Sequence, residues 1–302
     1  MDPRRRGILE MATAMAIAGT IGWFALRSGR PAHDIVFWRC VFAAFALGGY
    51  CWCTGAFRAR LSRGQWATLL GGGAALVANW VMLFAAYRHA SVAIATAVYN
   101  VQPFVLLGLG VALFGERLDA RKLGWLGLAF AGVVLMAGQR PQAGYVEGAF
   151  WPGIALALGA AVGWALAAAA ARRLAGVPPQ LIAFAHVCMG ALALAPFADF
   201  GHPPAGTLAW GLLACIGLVH TALMFALMYA AVQRLPSHLQ GALTFINPVV
   251  AVSVDVFALG HVLHAPQLAG IAVVLLAAAC LTLGAGAPAA RRDGGNRGDR
   301  RA

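Results

Sequence analysis

Charged side chains within long apolar stretches are the first feature of this chain that could carry chemistry. Acidic and basic residues make up only 11% of the 302 residues, and three of them, Glu10, Arg39 and Asp255, fall inside apolar stretches. His186 and His220 lie in similar surroundings. A charge in hydrocarbon is costly unless it is paired or solvated, so each of these positions predicts a functional role.

Two short stretches, 99–103 and 244–248, combine a proline with polar side chains at matching spacing. These residues are Tyr99, Gln102 and Pro103 in the first stretch, and Thr244, Asn247 and Pro248 in the second. On a helix, the members of each set share one face. Each proline also frees the carbonyl four residues earlier. The pattern predicts two kinked helices that present polar groups to a central substrate cavity; alternatively, the prolines only bend the helices and the amides join neighbours.

His220 and Asn79 occupy the middle of two other apolar stretches. A histidine in this position can exchange a proton near neutral pH, which makes His220 a candidate for proton coupling or substrate binding. The alternative is a neutral histidine hydrogen-bonded to an adjacent helix. We include Asn79 as a candidate substrate-binding residue.

Arg39 and Asp255 are both predicted to lie in the outer half of the membrane. Their matching depth allows an ion pair that closes the outer side, or an Arg39 that holds a substrate carboxylate. A third interpretation is that Arg39 extends to the outer interface. Glu10, a candidate gating or coupling group, lies near enough to the inner interface to pair with an arginine in the run 4–6.

The apolar stretches that carry these residues predict an all-α membrane protein of about ten transmembrane helices. Hydrophobic residues make up 61% of the chain. Each stretch is close to the roughly 20 residues that cross a bilayer as a helix. We place the spans at 7–26, 34–54, 65–87, 91–114, 121–138, 148–171, 179–198, 206–231, 238–260 and 265–285.

The distribution of basic residues predicts the orientation of these spans. With both termini in the cytoplasm, seventeen of the 22 Lys and Arg residues lie on the inner side and four on the outer side. The net charge of +12 therefore reflects topology in the cell inner membrane, and nucleic-acid binding is not expected. We expect the lipid bilayer to be the chain's environment and 288–302 to be a disordered cytoplasmic tail.

The sequence contains no pattern typical of a metal site, a cofactor site or an ATPase. Six cysteines lie within or at the ends of the spans, where we interpret them as packing residues: Cys40, Cys51, Cys53, Cys188, Cys215 and Cys280. Their spacing matches no structural zinc site, and no phosphate-binding G-x-x-x-x-G-K-[ST] motif occurs. His220 also lacks a carboxylate nearby in sequence, so we do not expect an enzyme.

The sequence contains an internal repeat. An offset of 145 residues aligns Gln102-Pro103 with Asn247-Pro248, and a slightly different offset aligns Gly22-Trp23 with Gly163-Trp164. The predicted repeats cover 1–142 and 143–287, with five spans each. Because five is odd, the second repeat enters the membrane from the opposite side, which is the arrangement of transporters that work by alternating access.

The residues of the first repeat resemble a known family. Similarity extends through Tyr87–Ser91, Ala95–Pro103, Gly115–Leu118, Gly124 and Gly132, and more loosely through 235–248 and 260–270. These segments resemble the EamA domain of the drug/metabolite transporter superfamily. The second repeat has Gly260-His261 where the family commonly has Gly-Glu, whereas the first keeps Gly115-Glu116.

The resemblance implies a secondary transporter of a small metabolite. We expect an exporter, with an amino acid as the preferred substrate and protons as a candidate coupling ion, acting as a monomer or homodimer. Arg39 would then receive a carboxylate, while Tyr99, Gln102, Thr244 and Asn247 would bind polar groups. The alternative is a non-transporting accessory subunit or a lipid flippase of the same fold.

Overall fold

The computed structural model describes the chain as a bundle of helices. It describes residues 2–102, 104–105, 108–109, 112, 120–137, 150–174, 176–232, 234–235, 243 and 246–284. Within these residues the ordered elements are helical, as predicted. Pro103, Thr244, the Gly115-Glu116 pair and the predicted tail 288–302 lie outside the described residues.

The first five helices correspond to the first predicted repeat. They are α1 Pro3–Arg27, α2 Ala32–Thr54, α3 Arg63–Ala90, α4 Val92–Tyr99 and α5 Ala120–Ala137. A single 3₁₀ turn, Ala56–Arg58, follows α2.

The helices of the second predicted repeat are less regular. They are α6 Phe150–Arg173, α7 Pro179–Leu194 with a 3₁₀ turn Ala195–Phe197, α8 over 206–232, α9 Ile246–Ala258 and α10 Ala265–Gly284. Helix α8 consists of Gly206–Gly217, a π-helical turn Leu218–Leu223 and Met224–Val232. Helix α9 ends in a second π-helical turn, Val254–Ala258.

Local capping chemistry explains why α1 and α3 begin before their predicted spans. The Asp2 carboxylate accepts the backbone N–H of Arg4, and Pro3 occupies the first turn of α1, where a missing N–H is not costly. Ser62 and Gln65 form a capping box at the start of α3. Ser91, at φ 66°, then ends α3 and caps α4.

Six helices in the described part of the chain are long and apolar enough to cross a membrane, namely α1, α2, α3, α6, α7 and α8. The apolar helical segments Ile246–Ala258 and Ala265–Ala277 are shorter. The chain is therefore a multi-pass membrane protein, while the count of ten spans and the inversion of the repeats stay predictions.

The helix contacts of the two halves correspond to each other: a contact between two helices is repeated when each helix is replaced by its counterpart in the other half. Helix α1 packs on α8 and α9, and correspondingly α6 packs on α3 and α4. Helix α2 packs on α8, and α7 packs on α3. The pairs α2–α7, α4–α9 and α5–α10 join helices that the predicted repeats make equivalent. The main contacts thus run between the halves.

Small residues allow the close approaches. A Cβ on Gly163 of α6 would lie 2.8 Å from the Ala75 carbonyl oxygen and 3.1 Å from the Asn79 Cβ on α3. A Cβ on Gly22, the repeat equivalent of Gly163, would lie 2.5 Å from Val92 on α4. Glycine at these positions lets the backbones approach as helices do in membranes.

We name the two ends of the bundle by their predicted orientation. The outer face is the end where α1 finishes, α2 and α4 begin, and α9 finishes. The inner face is the opposite end, where α1 begins and α8 finishes.

Candidate functional site

Arg39 on α2 is a buried cation that contacts α3 and α8. Its residue is 3% exposed, and its Nε donates to the Thr221 hydroxyl at 3.1 Å. The guanidinium lies 4.4 Å from the ring centre of Trp80 and 5.4 Å from that of Phe84, both on α3. Cation–π contacts of this kind stabilise a charge without neutralising it.

No acidic side chain among the described residues pairs with Arg39. An arginine has five N–H donors, and the four on its two terminal nitrogens make no hydrogen bond to the described part of the chain. Arg39 therefore presents a positive charge and a planar set of donors that suit a carboxylate. Its burial contradicts the interpretation in which Arg39 extends to the interface.

Gly217 explains how Thr221 reaches Arg39. A Cβ at Gly217 would lie 2.5 Å from the Cβ of Phe42 and 2.8 Å from the Arg39 carbonyl oxygen, so α8 contacts the backbone of α2 here. Thr221 lies one turn further along α8. Its hydroxyl donates to the Ile216 carbonyl five residues earlier, at 2.9 Å.

Asn79 and Tyr99 are joined by a hydrogen bond. The Asn79 amide nitrogen donates to the Tyr99 hydroxyl at 3.3 Å and to the Ala160 carbonyl on α6 at 2.7 Å. Asn79 is 1% exposed, while Tyr99 is half-buried at the end of α4. Two of the predicted substrate-binding residues are thus in contact, and one of them also joins the two halves.

His220 lies on the π-helical turn of α8 and is 2% exposed. Its Nε2 lies 3.0 Å from the Thr20 hydroxyl on α1, its Nδ1 lies 3.2 Å from the Cys215 carbonyl, and its ring lies 4.6 Å from that of Phe24. A carbonyl only accepts, so Nδ1 donates.

The Thr20 hydroxyl lets this pocket hold His220 with or without a second proton. When Nε2 is unprotonated, Thr20 donates to it. When Nε2 carries a proton it donates to Thr20, whose own hydrogen then serves the Ile17 carbonyl at 2.8 Å.

The predicted residues near Pro103 and Pro248 are only partly described. Gln102 is half-buried, and its buried side-chain oxygen has no hydrogen-bond partner within the described residues. Asn247 is half-buried and Pro248 buried on α9. The Asn247 backbone oxygen would lie 2.7 Å from a Cβ on Gly19, so α1 contacts α9 at this point.

Asp255 does not pair with Arg39, contrary to one of the sequence interpretations. Its carboxylate is fully buried, where Oδ1 accepts the Val92 backbone N–H at 3.1 Å and lies 3.0 Å from the Nδ1 of His261. Arg39 contacts Thr221 on α8 instead. The two ionisable groups therefore belong to different parts of the bundle.

Glu10 pairs at the inner face with Arg6, as one interpretation predicted, at 3.0 Å. It also pairs with Arg234 at 2.7 Å, a contact that sequence spacing did not predict. Arg234 follows α8, so Glu10 connects the two halves. The described residues contain no group of three or more His, Cys, Asp or Glu side chains that could hold a metal ion.

Four residues of this site were not among the candidates drawn from the sequence: Trp80, Phe84, Thr221 and Thr20. His261 was noted from the sequence only as a departure from the family's Gly-Glu pair. A signal for two of the four was present, because Trp80 follows Asn79 and Thr221 follows His220 at equivalent positions of the repeats. Aromatic and threonine side chains are common in membrane helices, so their types alone did not distinguish them.

Comparison with known proteins is consistent with this architecture. The family described as the EamA-like transporter family matches residues 5–138 and 151–283. An uncharacterized transporter, YxxF, of Bacillus subtilis (strain 168) is 28% identical over 279 residues, which cover 91% of this chain and 89% of that protein. An uncharacterized transporter of Archaeoglobus fulgidus is 28% identical over 277 residues, which cover 90% of this chain and 94% of that one.

A solved crystal structure has the same fold. It aligns with a TM-score of 0.64 at 21% identity, over 92% of this chain and 96% of the other. The family match spans both halves of the chain and bears out the resemblance seen in its residues. The chain therefore belongs to the EamA-like transporter family and is a multi-pass membrane transporter.

Proposed function

We propose that this protein is a secondary exporter of small carboxylate-bearing metabolites, with amino acids as the preferred class. It would work by alternating access between two inverted repeats, 1–142 and 143–287, in the cell inner membrane with both termini in the cytoplasm. Arg39, Asn79, Tyr99, Gln102, His220, Thr244 and Asn247 would contribute to the substrate site.

The unpaired charge of Arg39 is the observation that supports this proposal. The side chain is buried, yet no acidic partner lies against it in the described part of the chain. Burying an uncompensated cation is costly, and a substrate carboxylate would supply the missing charge. An aromatic wall of Trp80 and Phe84 already orients the guanidinium.

The remaining polar groups suit the other end of an amino acid. The Tyr99 hydroxyl and the unpartnered Gln102 oxygen can accept from an ammonium group. His220 adds a ring nitrogen, Nε2, that forms a hydrogen bond with the Thr20 hydroxyl. Tyr99 ends α4 of the first half and His220 lies on α8 of the second, so a bound solute would contact both halves of the protein.

The exchange symmetry of the helix contacts supports alternating access. Each main contact of one half has its counterpart in the other. Two conformations related by exchanging the halves would therefore use similar contacts and differ little in free energy.

A lipid flippase is the second candidate. An apolar recess of about 450 Å³ lies between α3 and α7, lined by side chains that include Val77, Met82, Met189 and Leu194. Such a recess suits an acyl chain. The buried charge of Arg39 favours the solute transporter, because the side chains that line this recess are all apolar and Arg39 is not among them.

Reconstitution of the purified protein into liposomes tests these functions. Radiolabelled amino acids, nucleosides, cationic drugs and a fluorescent phospholipid would be offered separately, with and without a pH gradient. We expect counterflow of an amino acid; movement of the phospholipid alone would indicate a flippase. If no probe moves while the protein remains folded, the exporter proposal fails and an accessory subunit becomes the better interpretation.

Leucine at Gln102 or Asn247 tests the position of the cavity. Either substitution removes polar groups while keeping a similar volume, so we expect flux to be lost and expression to be retained. Unchanged flux in both variants would remove the central-cavity assignment. Gln65→Leu is not a suitable control because Gln65 caps α3; Gln180→Leu, at the half-buried start of α7, serves instead.

A further inference from the structure

The carboxylate of Asp255 is buried near the outer face between Val92 and His261, and it does not contact Arg39. Asp255 is on the π-helical turn that ends α9 and is fully buried. One carboxylate oxygen, Oδ1, accepts from Val92 and meets His261, while the other, Oδ2, is buried with no hydrogen-bond partner among the described residues. A buried carboxylate with one unsatisfied oxygen is costly as an anion.

The backbone after α9 brings His261 back to this carboxylate. Gly260 adopts φ +70°, which reverses the chain, and the His261 backbone N–H donates to the Asp255 carbonyl at 3.1 Å. The His261 Nδ1 then lies 3.0 Å from Oδ1. The His261 side chain is 26% exposed, whereas that of Asp255 is 0% exposed. His261 thus connects the surface to the buried carboxylate.

The same carboxylate is linked to the proposed substrate site through α4. Val92 is the first residue of α4, and its N–H points at Oδ1 from a helix start that favours negative charge. Tyr99 ends the same helix and receives the hydrogen bond of Asn79. The eight residues of α4 therefore join Asp255 at one end to a substrate-site residue at the other.

We propose that Asp255 and His261 form the proton-binding site of the transporter, with His261 as the relay from the outer face and α4 as the element that responds. An outside proton joins the His261 Nε2 while its Nδ1 proton passes to Oδ1 of Asp255. The neutral carboxyl binds the Val92 N–H less strongly, so α4 is released and Tyr99 moves away from Asn79. When the protein opens inward, the proton leaves Asp255 to water on the inner side and the carboxylate again accepts the Val92 N–H. His261 then exchanges its Nε2 proton for one on Nδ1 through solvent, which restores the starting state.

Other ionisable groups near this pocket are few in the described residues. The segments packed against the end of α9 are α1, which ends at Arg27, and α4, which follows Arg88 and His89 of α3. His264 lies in the same loop as His261. Among these groups only His261 contacts the Asp255 carboxylate in the described part of the chain.

The infrared spectrum of the protein in detergent tests the site without any substrate. Protonation of Asp255 should appear as a carboxyl C=O band that titrates with pH and shifts in D₂O. The band should be absent in Asp255→Asn, which keeps the volume and an oxygen for Val92. It should persist in Asp199→Asn, where the altered carboxylate is on an outer loop. If the wild-type and Asp255→Asn spectra show no difference in this band, the proposal is overturned.

A transport assay tests the coupling, which rests on the proposed function. In proteoliposomes, Asp255→Asn should abolish stimulation of amino-acid flux by a pH gradient and retain gradient-independent counterflow. Retained stimulation would contradict the proposal. If wild-type protein shows no counterflow, the proposed function fails, and the infrared result alone decides whether Asp255 binds the proton.

His261→Asn provides the second variant. An asparagine amide can replace Nδ1–H as a donor to Asp255 but cannot relay a proton, so proton-driven flux should slow while the infrared band of Asp255 remains. His264→Asn is the matched control and should leave proton-driven flux unchanged. Equal flux in the wild type and His261→Asn would remove His261 from the proposal.

Discussion

Arg39 differs from the other described polar groups of the proposed substrate site because it alone among them carries a fixed positive charge. Thr221, Asn79 and Tyr99 offer neutral hydrogen-bonding groups, and His220 can be neutral. Arg39 should therefore determine which solutes are accepted, while the neutral groups orient them. Its planar fork matters as well as its charge, since two parallel hydrogen bonds to a carboxylate require it.

Substitution of Arg39 should separate charge from geometry. We expect Arg39→Gln to lower amino-acid affinity about 10- to 100-fold, since a hydrogen bond to a charged group contributes about 1.5–3 kcal/mol. Arg39→Lys should have an intermediate effect, because it keeps the charge and loses the fork. Concentration dependence of counterflow measures both. Arg27→Gln is the control, since Arg27 is exposed over Trp23; an equal loss there would contradict a specific role for Arg39.

Tyr99→Phe and Asn79→Ala should affect different properties. Tyr99→Phe removes one hydroxyl that contacts Asn79, so we expect slower transport and little change in thermal stability. Asn79→Ala also removes the donor to Ala160 on α6, which should destabilise the protein by about 1 kcal/mol. Thermal unfolding in detergent and counterflow measured on both variants would show this difference. Equal stability losses would mean that Tyr99 is mainly structural.

At the residue scale, the sequence identified several polar residues of the candidate site but not the groups that they contact. Arg39, Asn79 and His220 were selected because polar groups are rare in apolar spans. Their partners Thr221, Ala160 and Thr20 lie on helices distant in sequence, and Ala160 contributes a backbone carbonyl that no side-chain pattern reveals. Pairing of Asp255 with Arg39 was one of three interpretations, because both were placed in the outer half, but depth does not determine which helices are neighbours.

At the scale of the helices, the two π-helical turns carry His220, Thr221 and Asp255. A π-helical turn inserts a residue and widens the helix, and such turns are frequent at functional sites. Side chains of His220 and Thr221 reach carbonyls five residues earlier. The sequence did not predict these turns, since no proline or glycine pattern requires them, whereas the Ser62 cap and the Gly55 turn at φ 67° follow recognisable local signals.

Close packing of α3 against α6 should depend on Gly163. We expect Gly163→Ala to destabilise the protein by about 1–3 kcal/mol, because its Cβ would collide with the Ala75 carbonyl and Asn79. Gly71→Ala on α3 is the matched control, since nothing lies within 4 Å of its Cβ. Thermal melting in detergent measures both variants. A Gly163→Ala protein as stable as the control would contradict the close approach.

At the scale of the whole molecule, contacts at both faces join the halves. Glu10 of α1 meets Arg234 after α8 at the inner face. At the outer face Arg30 contacts the Asp34 carboxylate and donates to the His202 carbonyl at 2.9 Å. In the proposed alternating-access cycle, opening to either side would require at least one of these contacts to break, so each should bias the protein toward one conformation.

The inner contact can be measured by a double-mutant cycle. Glu10→Gln, Arg234→Gln and the double variant should show a coupling energy of about 1 kcal/mol in unfolding by detergent, given partial exposure of the pair. Arg6→Gln in place of Arg234→Gln should couple more weakly, because the Arg6 side chain is 58% exposed. Coupling near zero for Glu10 and Arg234 would show that the pair does not hold the halves together.

The contacts of α3 also have a consequence for biogenesis. Its main partner, α6, belongs to the second half and is synthesised later. Until α6 is inserted, the Asn79 amide lacks the Ala160 carbonyl and the glycine-rich face of α3 meets lipid. We therefore expect the first half to be an incomplete intermediate in the bilayer. Its release from the insertion machinery should then depend on the synthesis of α6 and α8 rather than on its own length.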